Sequence, residues 1–310
     1  MDASVTVRAW LCRLPLKQPI PVGAARWMDR PTVLISLTDR HGHTGWGEAA
    51  PLDGYGPDTL SDVVTAIRDG NWDAALPSLQ CALGTARQAA ASPSGMLLTP
   101  AVLDPTSEAP LIKVKISGEP QDEASRLLAL LQDHPTRRLR LDANRSLTRD
   151  GASRLLDLIG PLVDRIDFFE EPFLGCFETD HRTDFPVSLA IDESLDGENW
   201  RHADVCVLKP SLMGDPRTTF RLARAMQTDG RRVVVSSAFE SRVGMLMLVH
   251  LADQLGDAAP GLSTYTWLAD DVGGLDPLLS GPLLDPASLP ALPAPLADPS
   301  SARFPVEVIQ

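Results

Sequence analysis

Lysine is almost missing from this chain. Of 28 basic residues only four are lysine (Lys17, Lys113, Lys115 and Lys209), and arginine supplies the rest. Where charge alone matters, arginine serves. A surviving lysine marks a place where a group able to give up its proton is wanted, because guanidinium stays protonated in proteins. Other shortages exclude whole classes. No run approaches the ~18 apolar residues of a membrane-spanning helix. The first residues, MDASVTVRAWLCRLPL, carry an acid and no long apolar stretch, so no secretory leader is expected. The four cysteines, Cys12, Cys81, Cys176 and Cys206, form no C-x-x-C pair, so reduced, buried thiols in a cytoplasmic protein are expected rather than a disulfide framework or zinc site. The six histidines show no metal or triad spacing. Positive charge is also in deficit: the formal net charge is −13, which argues against nucleic-acid and anionic-membrane partners and is compatible with binding cations.

What is present is ordinary globular composition, 44% hydrophobic and 22% charged. From about residue 110, short runs rich in Val, Ile, Leu and Phe recur: LIKVKIS (111–117), LRLDAN (139–144), IDFFEEP (166–172), SLAIDES (188–194), VCVLKPS (205–211), VVVSSAFES (233–241) and LSTYTW (262–267). These read as strands buried on both faces. Helical periodicity falls between several of them, over 119–134, 146–160, 215–229 and 241–256. Alternation on this scale makes a parallel sheet. With a first strand near LTPAVLDP (98–105), eight strands favour closure into a barrel. The segments after IDFFEEP and SLAIDES leave room only for clipped or irregular elements.

The first ~98 residues differ. VTVRAWLCRLPL and TVLISLTDRHGHTGWGEAA alternate apolar and polar residues around a turn at 38–45, with helical stretches near 59–68 and 79–91. We expect an α+β domain over 1–98, joined by the Pro-rich tail 280–310, whose FPVEVIQ adds a strand. The barrel is then expected over 99–279.

The chemistry-bearing residues fall at one recurrent place. Lys113 and Lys115 share one face of a strand. Asp142, Glu170 with Glu171, Asp192 with Glu193, and Lys209 end the next four runs. In a parallel barrel the C-terminal strand ends surround one mouth, where active sites are built. Converging carboxylates repel unless a cation lies between them, and oxygen-only donors point to Mg²⁺. A lysine acting as base must lose its proton. Lys113 two residues away, burial and the metal all push Lys115 that way. Removing the proton beside a metal-held carboxylate gives an enediolate, stabilised where its charge develops.

The ordered set KVK (113–115), DAN (142–144), EEP (170–172), DES (192–194) and LKPSLMG (208–214) resembles the enolase superfamily, muconate-lactonising subgroup. LRLDANRSLT, FFEEPF, IDES, VLKPSLMG and VVVSSAFES, with QPIPVG and GWGEAAPLDGYG, are most similar to the o-succinylbenzoate synthase family. The resemblance spans about 5–267. It implies a TIM-like (β/α)7β barrel with an N-terminal α+β capping domain. Asp142, Glu170 and Asp192 would ligate Mg²⁺. Lys115 would be the base and then the acid, Lys209 would stabilise the enediolate from the opposite face, and Lys113 would tune Lys115. Arg140 and Asn144 would shape the polar shell, and Ser236 and Ser237 would receive the succinyl tail. Loops 19–28 and 53–56 would close over the pocket. The implied activity is that of a hydro-lyase of menaquinone biosynthesis. It performs syn dehydration of 2-succinyl-6-hydroxy-2,4-cyclohexadiene-1-carboxylate (SHCHC) to 2-succinylbenzoate, so the partner is a small-molecule carboxylate, and the expected state is a monomer or weak homo-oligomer. The alternative on the same scaffold is an N-acylamino-acid racemase or dipeptide epimerase. GLSTYTWLADD, which lacks an obvious D-x-D at the expected strand end, weighs against the epimerase.

Overall fold

The computed structural model describes residues 5–22, 25–87, 109–256, 258–279, 284, 287–288 and 298–310. Two sheets organise them. The first is antiparallel, in the order β10-β1-β2-β3, from β1 (Thr6–Val22), β2 (Ala25–Thr38), β3 (Thr44–Ala49) and β10 (Val306–Val308). β1 and β2 form a long hairpin with an irregularity between Pro15 and Ile20, and FPVEVIQ pairs Val308 with Trp10 on the outer edge of β1. Helices α1 (Leu60–Arg68) and α2 (Pro77–Arg87) cover one face around Val33, Ile35, Leu37, Val63, Ile67, Leu79 and Leu83. Gly47 is required here: a Cβ on it would stand 1.9 Å from the Ala82 carbonyl oxygen, so its hydrogen lets α2 lie directly on β3.

The second sheet is parallel, with six strands in sequence order: β4 (Leu111–Lys115), β5 (Arg138–Asp142), β6 (Ile166–Glu170), β7 (Leu189–Ile191), β8 (Val205–Leu208) and β9 (Arg232–Val235). Strand alternation separates two cores. Ile112, Val114, Leu139, Leu141, Phe169, Leu189, Ile191, Cys206, Leu208, Val233 and Val235 face the helices α3 (Pro120–Asp133), α4 (Arg149–Ile159), α5 (Pro216–Thr228) and α6 (Arg242–Leu255). Phe168, Ala190, Val205, Val207 and Val234 fill the inside of the curl. Among the described residues no helix follows β6, and only a 3-10 turn (Asn199–His202) follows β7, as the short intervals require.

The expected strand near 98–105 lies outside the described residues. The expected strand LSTYTW is not one. Ser263–Trp267 forms a 3-10 helix, flanked by two isolated bridges, parallel from Gly261 to Ser236 and antiparallel from Leu268 to Leu16. The Thr266 hydroxyl donates to the Ser263 carbonyl (2.7 Å), a local side-chain-to-backbone bond that competes with a ladder. The apolar character of the segment comes from burial of Leu262 and Tyr265, which a 3-10 turn supplies equally well. All four cysteines are free and buried.

The two sheets are joined at α6, which buries twelve of its fourteen residues. The N-terminal N–H groups of a helix need outside acceptors. The Glu48 carboxylate, at the end of β3, accepts from the Ser241 N–H (3.0 Å), the Gly244 N–H (2.9 Å) and the Ser241 hydroxyl (2.6 Å). Asp271 accepts from the Arg242 N–H (2.6 Å), and the Ser241 hydroxyl caps the Val243 N–H. Lys17 donates from β1 to the Thr266 carbonyl (2.7 Å), and the Ala269 N–H donates to the Pro15 carbonyl (2.7 Å).

A Cβ at Gly244 would lie 2.7 Å from Glu48 Oε2. Helix propensity alone would make Gly244→Ala stabilising by about 1 kcal/mol. Displacement of the buried carboxylate reverses the sign, so we expect a net loss of about 1–3 kcal/mol in chemical denaturation. A stabilised variant would refute the joint.

Candidate active site

Inward-facing residues of the parallel sheet stack in register. Lys113 pairs with Arg140 and Arg140 with Phe168. One step further, Lys115 pairs with Asp142 and Asp142 with Glu170. Asp192 follows β7 and Lys209 follows β8. All of these line one cavity of about 510 Å³, together with Asn144, Ser236 and Ser237. Its floor includes the inner residues Phe168, Val207 and Val234, and Ile20, Leu52 and Tyr55 of the antiparallel layer reach its wall.

The ionic groups neutralise one another in pairs. Lys113 Nζ lies 2.7 Å from Asp142 Oδ2 and 2.7 Å from Glu170 Oε1. Lys115 Nζ donates to the same Asp142 oxygen (2.6 Å) and to Asn144 Oδ1 (2.7 Å). Lys209 Nζ donates to Asp192 Oδ2. Burial opposes the charge of Lys113, but Glu170, Asp142 and Asp192 outweigh it and hold this ammonium firmly protonated. Lys209 is likewise raised, with Asp192 and Glu170 overcoming burial. Burial also opposes ionisation of Asp142, yet Lys113 and Lys115 keep its carboxyl well below the usual range. Glu170 goes the other way: burial first, then Asp142 and Asp192, push it up to about 8. Of the three carboxyls, Glu170 is the one whose burial the ammonium groups offset least.

The burial expected at Lys115 falls elsewhere. The side chains of Lys113 and Lys209 are 17% and 18% exposed, whereas that of Lys115 is 58% exposed. Lys115 is the last residue of β4 and stands at the rim, where an overlying loop or a bound substrate is needed to exclude water.

Four residues that the sequence left without a part complete the geometry. Glu171 has φ 43°, a left-handed turn that sends Glu170 into the cavity and Glu171 towards the next strand end. Its carboxylate accepts from the N–H groups of Asp192 (2.8 Å) and Ser194 (2.9 Å) and from the Ser194 hydroxyl (2.6 Å), fixing the turn that presents Asp192. Glu193 accepts from Asn144 Nδ2 (3.0 Å), and its second oxygen is buried with no hydrogen-bond partner. One oxygen each from Glu170, Asp192 and Glu193 lie within 4.8 Å of one another. This all-oxygen cluster, with an orphaned carboxylate oxygen, suits a hard divalent cation. Asp142 lines the same cavity, with its Oδ2 engaged by two lysines. Glu171 and Glu193 were visible only as second members of acidic doublets. Asp167, inside IDFFEE, accepts from Arg140 Nε (2.7 Å), which places Arg140 deep in the cavity over the Phe168 ring rather than beside the carboxylates. Thr264 shares its hydroxyl with Ser237 (2.6 Å).

Residues 107–283 match the family model described as enolase C-terminal domain-like. The o-succinylbenzoate synthase of Yersinia enterocolitica is 30% identical over 290 residues, covering 82% of this chain and 88% of that protein. Among solved structures, the o-succinylbenzoate synthase of Thermosynechococcus elongatus BP-1, with magnesium in its active site, superposes with a TM-score of 0.69 at 23% identity, covering 83% of this chain and 92% of that one. N-succinyl Arg/Lys racemase of Bacillus cereus superposes with a TM-score of 0.73 at 16% identity, covering 94% of each chain. At those identities the two superpositions speak for the fold alone, whereas the family model and the sequence relative carry membership. The chain belongs to the enolase superfamily and, within it, to the o-succinylbenzoate synthase family.

Proposed function

We propose that the chain catalyses the Mg²⁺-dependent dehydration of SHCHC to 2-succinylbenzoate, as a cytoplasmic hydro-lyase of menaquinone biosynthesis. The observation that carries the reading is the convergence, in one cavity, of ammonium groups from β4 and from the end of β8 upon a buried carboxylate cluster. In this reading residues 1–98 and 280–310 form the cap. Residues 99–279 form a closed (β/α)7β barrel that the segment 261–267 completes.

Asp142, Glu170 and Asp192 are the proposed ligands, with the free Glu193 oxygen beside them. Mg²⁺ held by these oxygens would supply positive charge to the substrate carboxylate where negative charge develops. Lys115, oriented by Asn144 Oδ1, takes the proton next to the carboxylate. It then returns that proton to the hydroxyl on the same face as the C–O bond breaks, releasing water and leaving the aromatic ring. Lys113 keeps a fixed positive charge beside Lys115, because Glu170 and Asp142 hold its proton. Lys209 stays charged across the cavity and stabilises the developing enediolate. Ser236, Ser237 and Thr264 provide hydroxyls for the succinyl tail.

The racemase reading uses the same two lysines, each exchanging a proton on its own face. What favours dehydration is the 30% identity to a named synthase. Solvent deuterium appearing in N-succinylamino acids at rates matching SHCHC turnover would favour the racemase.

Lys115→Ala is expected to fold and to show SHCHC turnover near background, followed as Mg²⁺-dependent loss of substrate absorbance; turnover comparable to the parent would remove the assigned base. Lys209→Arg keeps charge but not shape and is expected to lose activity severely in the same assay. Glu171→Gln swaps an acceptor oxygen for a donor facing N–H groups. We expect Mg²⁺ affinity, measured by calorimetry, to fall about 10- to 100-fold with the fold retained; unchanged affinity would mean that Glu171 does not set the position of Asp192.

A further inference from the structure

Three segments meet above the cavity: the start of β2 at Trp27–Arg30, the loop Ala50–Tyr55, and Ser236–Glu240 after β9. Arg30 lies where they join and is fully buried. Its guanidinium donates to four carbonyls. Nε reaches Phe239 (3.3 Å), Nη1 reaches Pro31 (2.8 Å) and Pro51 (2.9 Å), and Nη2 reaches Ala50 (2.8 Å). Its Cζ lies 4.8 Å from the centre of the Trp27 ring. A cation is costly to bury unless it is compensated. Glu48, Glu240 and Asp53 supply the opposite charge. Glu48 and Glu240 are occupied by other donors, Glu48 by Ser241 and Gly244, and Glu240 by the Ser211 hydroxyl (2.5 Å) and the Ala238 N–H (2.6 Å). The fork of N–H groups is therefore spent on main-chain carbonyls from three segments, a task that arginine geometry meets and lysine does not.

One of those carbonyls belongs to a strained residue. Phe239 has φ 64°, a left-handed backbone that an aromatic residue adopts only when its surroundings hold it there. It is held from both sides: its N–H donates to Thr264 Oγ1 (3.3 Å) and its carbonyl accepts from Arg30. The Phe239 ring lines the cavity and meets Trp267 edge-on, with centroids 6.1 Å apart and planes at 76°. Ile20, Leu52 and Ala238 pack in the same apolar cluster.

We propose that Arg30 is a positioning residue: by holding the Phe239 carbonyl it sets the Phe239–Trp267 wall of the substrate cavity and ties that wall to the loop that overhangs it. The proposal rests on the cavity being the synthase's substrate site, and its test separates the two.

The experiment compares Arg30→Lys, Phe239→Ala and the double variant by SHCHC kinetics, and by hydrogen exchange of the 236–245 segment without substrate. Arg30→Lys is expected to raise KM about 10- to 100-fold with kcat reduced by less than about threefold. Phe239→Ala should act alike, and the double variant should be little worse than either, because one residue acts through the other. Exchange should quicken in 236–241 and stay unchanged in β4–β6. Multiplying KM effects, an unchanged KM, or exchange quickened throughout the chain would overturn the proposal. If Arg30→Lys does not fold, Arg30→Gln, which buries no charge, takes its place with the same expectations. If the parent enzyme does not turn over SHCHC, the functional reading fails. The proposal is then decided by exchange alone: local quickening upholds it and its absence overturns it.

Discussion

Every feature of this site follows from burying three carboxylates at the ends of adjacent parallel strands. Asp142, Glu170 and Asp192 face one another where water is scarce, and unpaired they would repel strongly. The chain answers with Lys113 between Asp142 and Glu170 and Lys209 on Asp192. The same attraction keeps those two lysines protonated. Glu170, pushed up first by burial, and the orphaned Glu193 oxygen are what the lysines leave least compensated, and an all-oxygen cluster of this kind suits a divalent ion. Lys115, at the rim and bonded to both Asp142 and Asn144, is the group that the proposed mechanism makes the proton carrier.

The sheet delivers these groups through simple alternation. Alternate positions of β4 and β5, and of β6 beyond its irregularity at Ile166–Phe168, go to opposite faces, one set into a dry layer against helices and the other into the curl. Below the charged layer, Phe168, Val207 and Val234 make an apolar floor. The ionic groups therefore sit between packed hydrocarbon and the opening, in surroundings where a fixed dipole or ammonium acts more strongly than in water.

The antiparallel layer is more than a cover. Glu48 caps the helix that follows Ser236–Glu240, and Arg30 grips a carbonyl within that segment. The Arg30 contact ends on backbone of the pocket wall, and the Glu48 contacts end on the first turn of the helix that continues from it. A strained Phe239 is tolerable only under such restraint.

Local pattern was enough to recognise most elements and to place the lysines and acids that line the cavity at strand ends. The i, i+2 spacing of Lys113 and Lys115 put both on one strand face, and the acids fell at the ends of successive apolar runs, because strand period and strand termination are local properties. LSTYTW misled because apolar character records burial, not the backbone form that achieves it; local hydroxyl bonding turned it into a 3-10 helix. The parts of Arg30, Glu48 and Glu193 had no local signature. Arg30 and Phe239 are 209 positions apart and Glu48 and Ser241 are 193, so nothing in either neighbourhood names the other. The sequence alone determined which chemical groups stand at the strand ends. Only the tertiary structure decided which of them are buried, which carry fixed charge and which backbone holds them, because burial and pairing arise when segments remote in the chain exclude water from the same space.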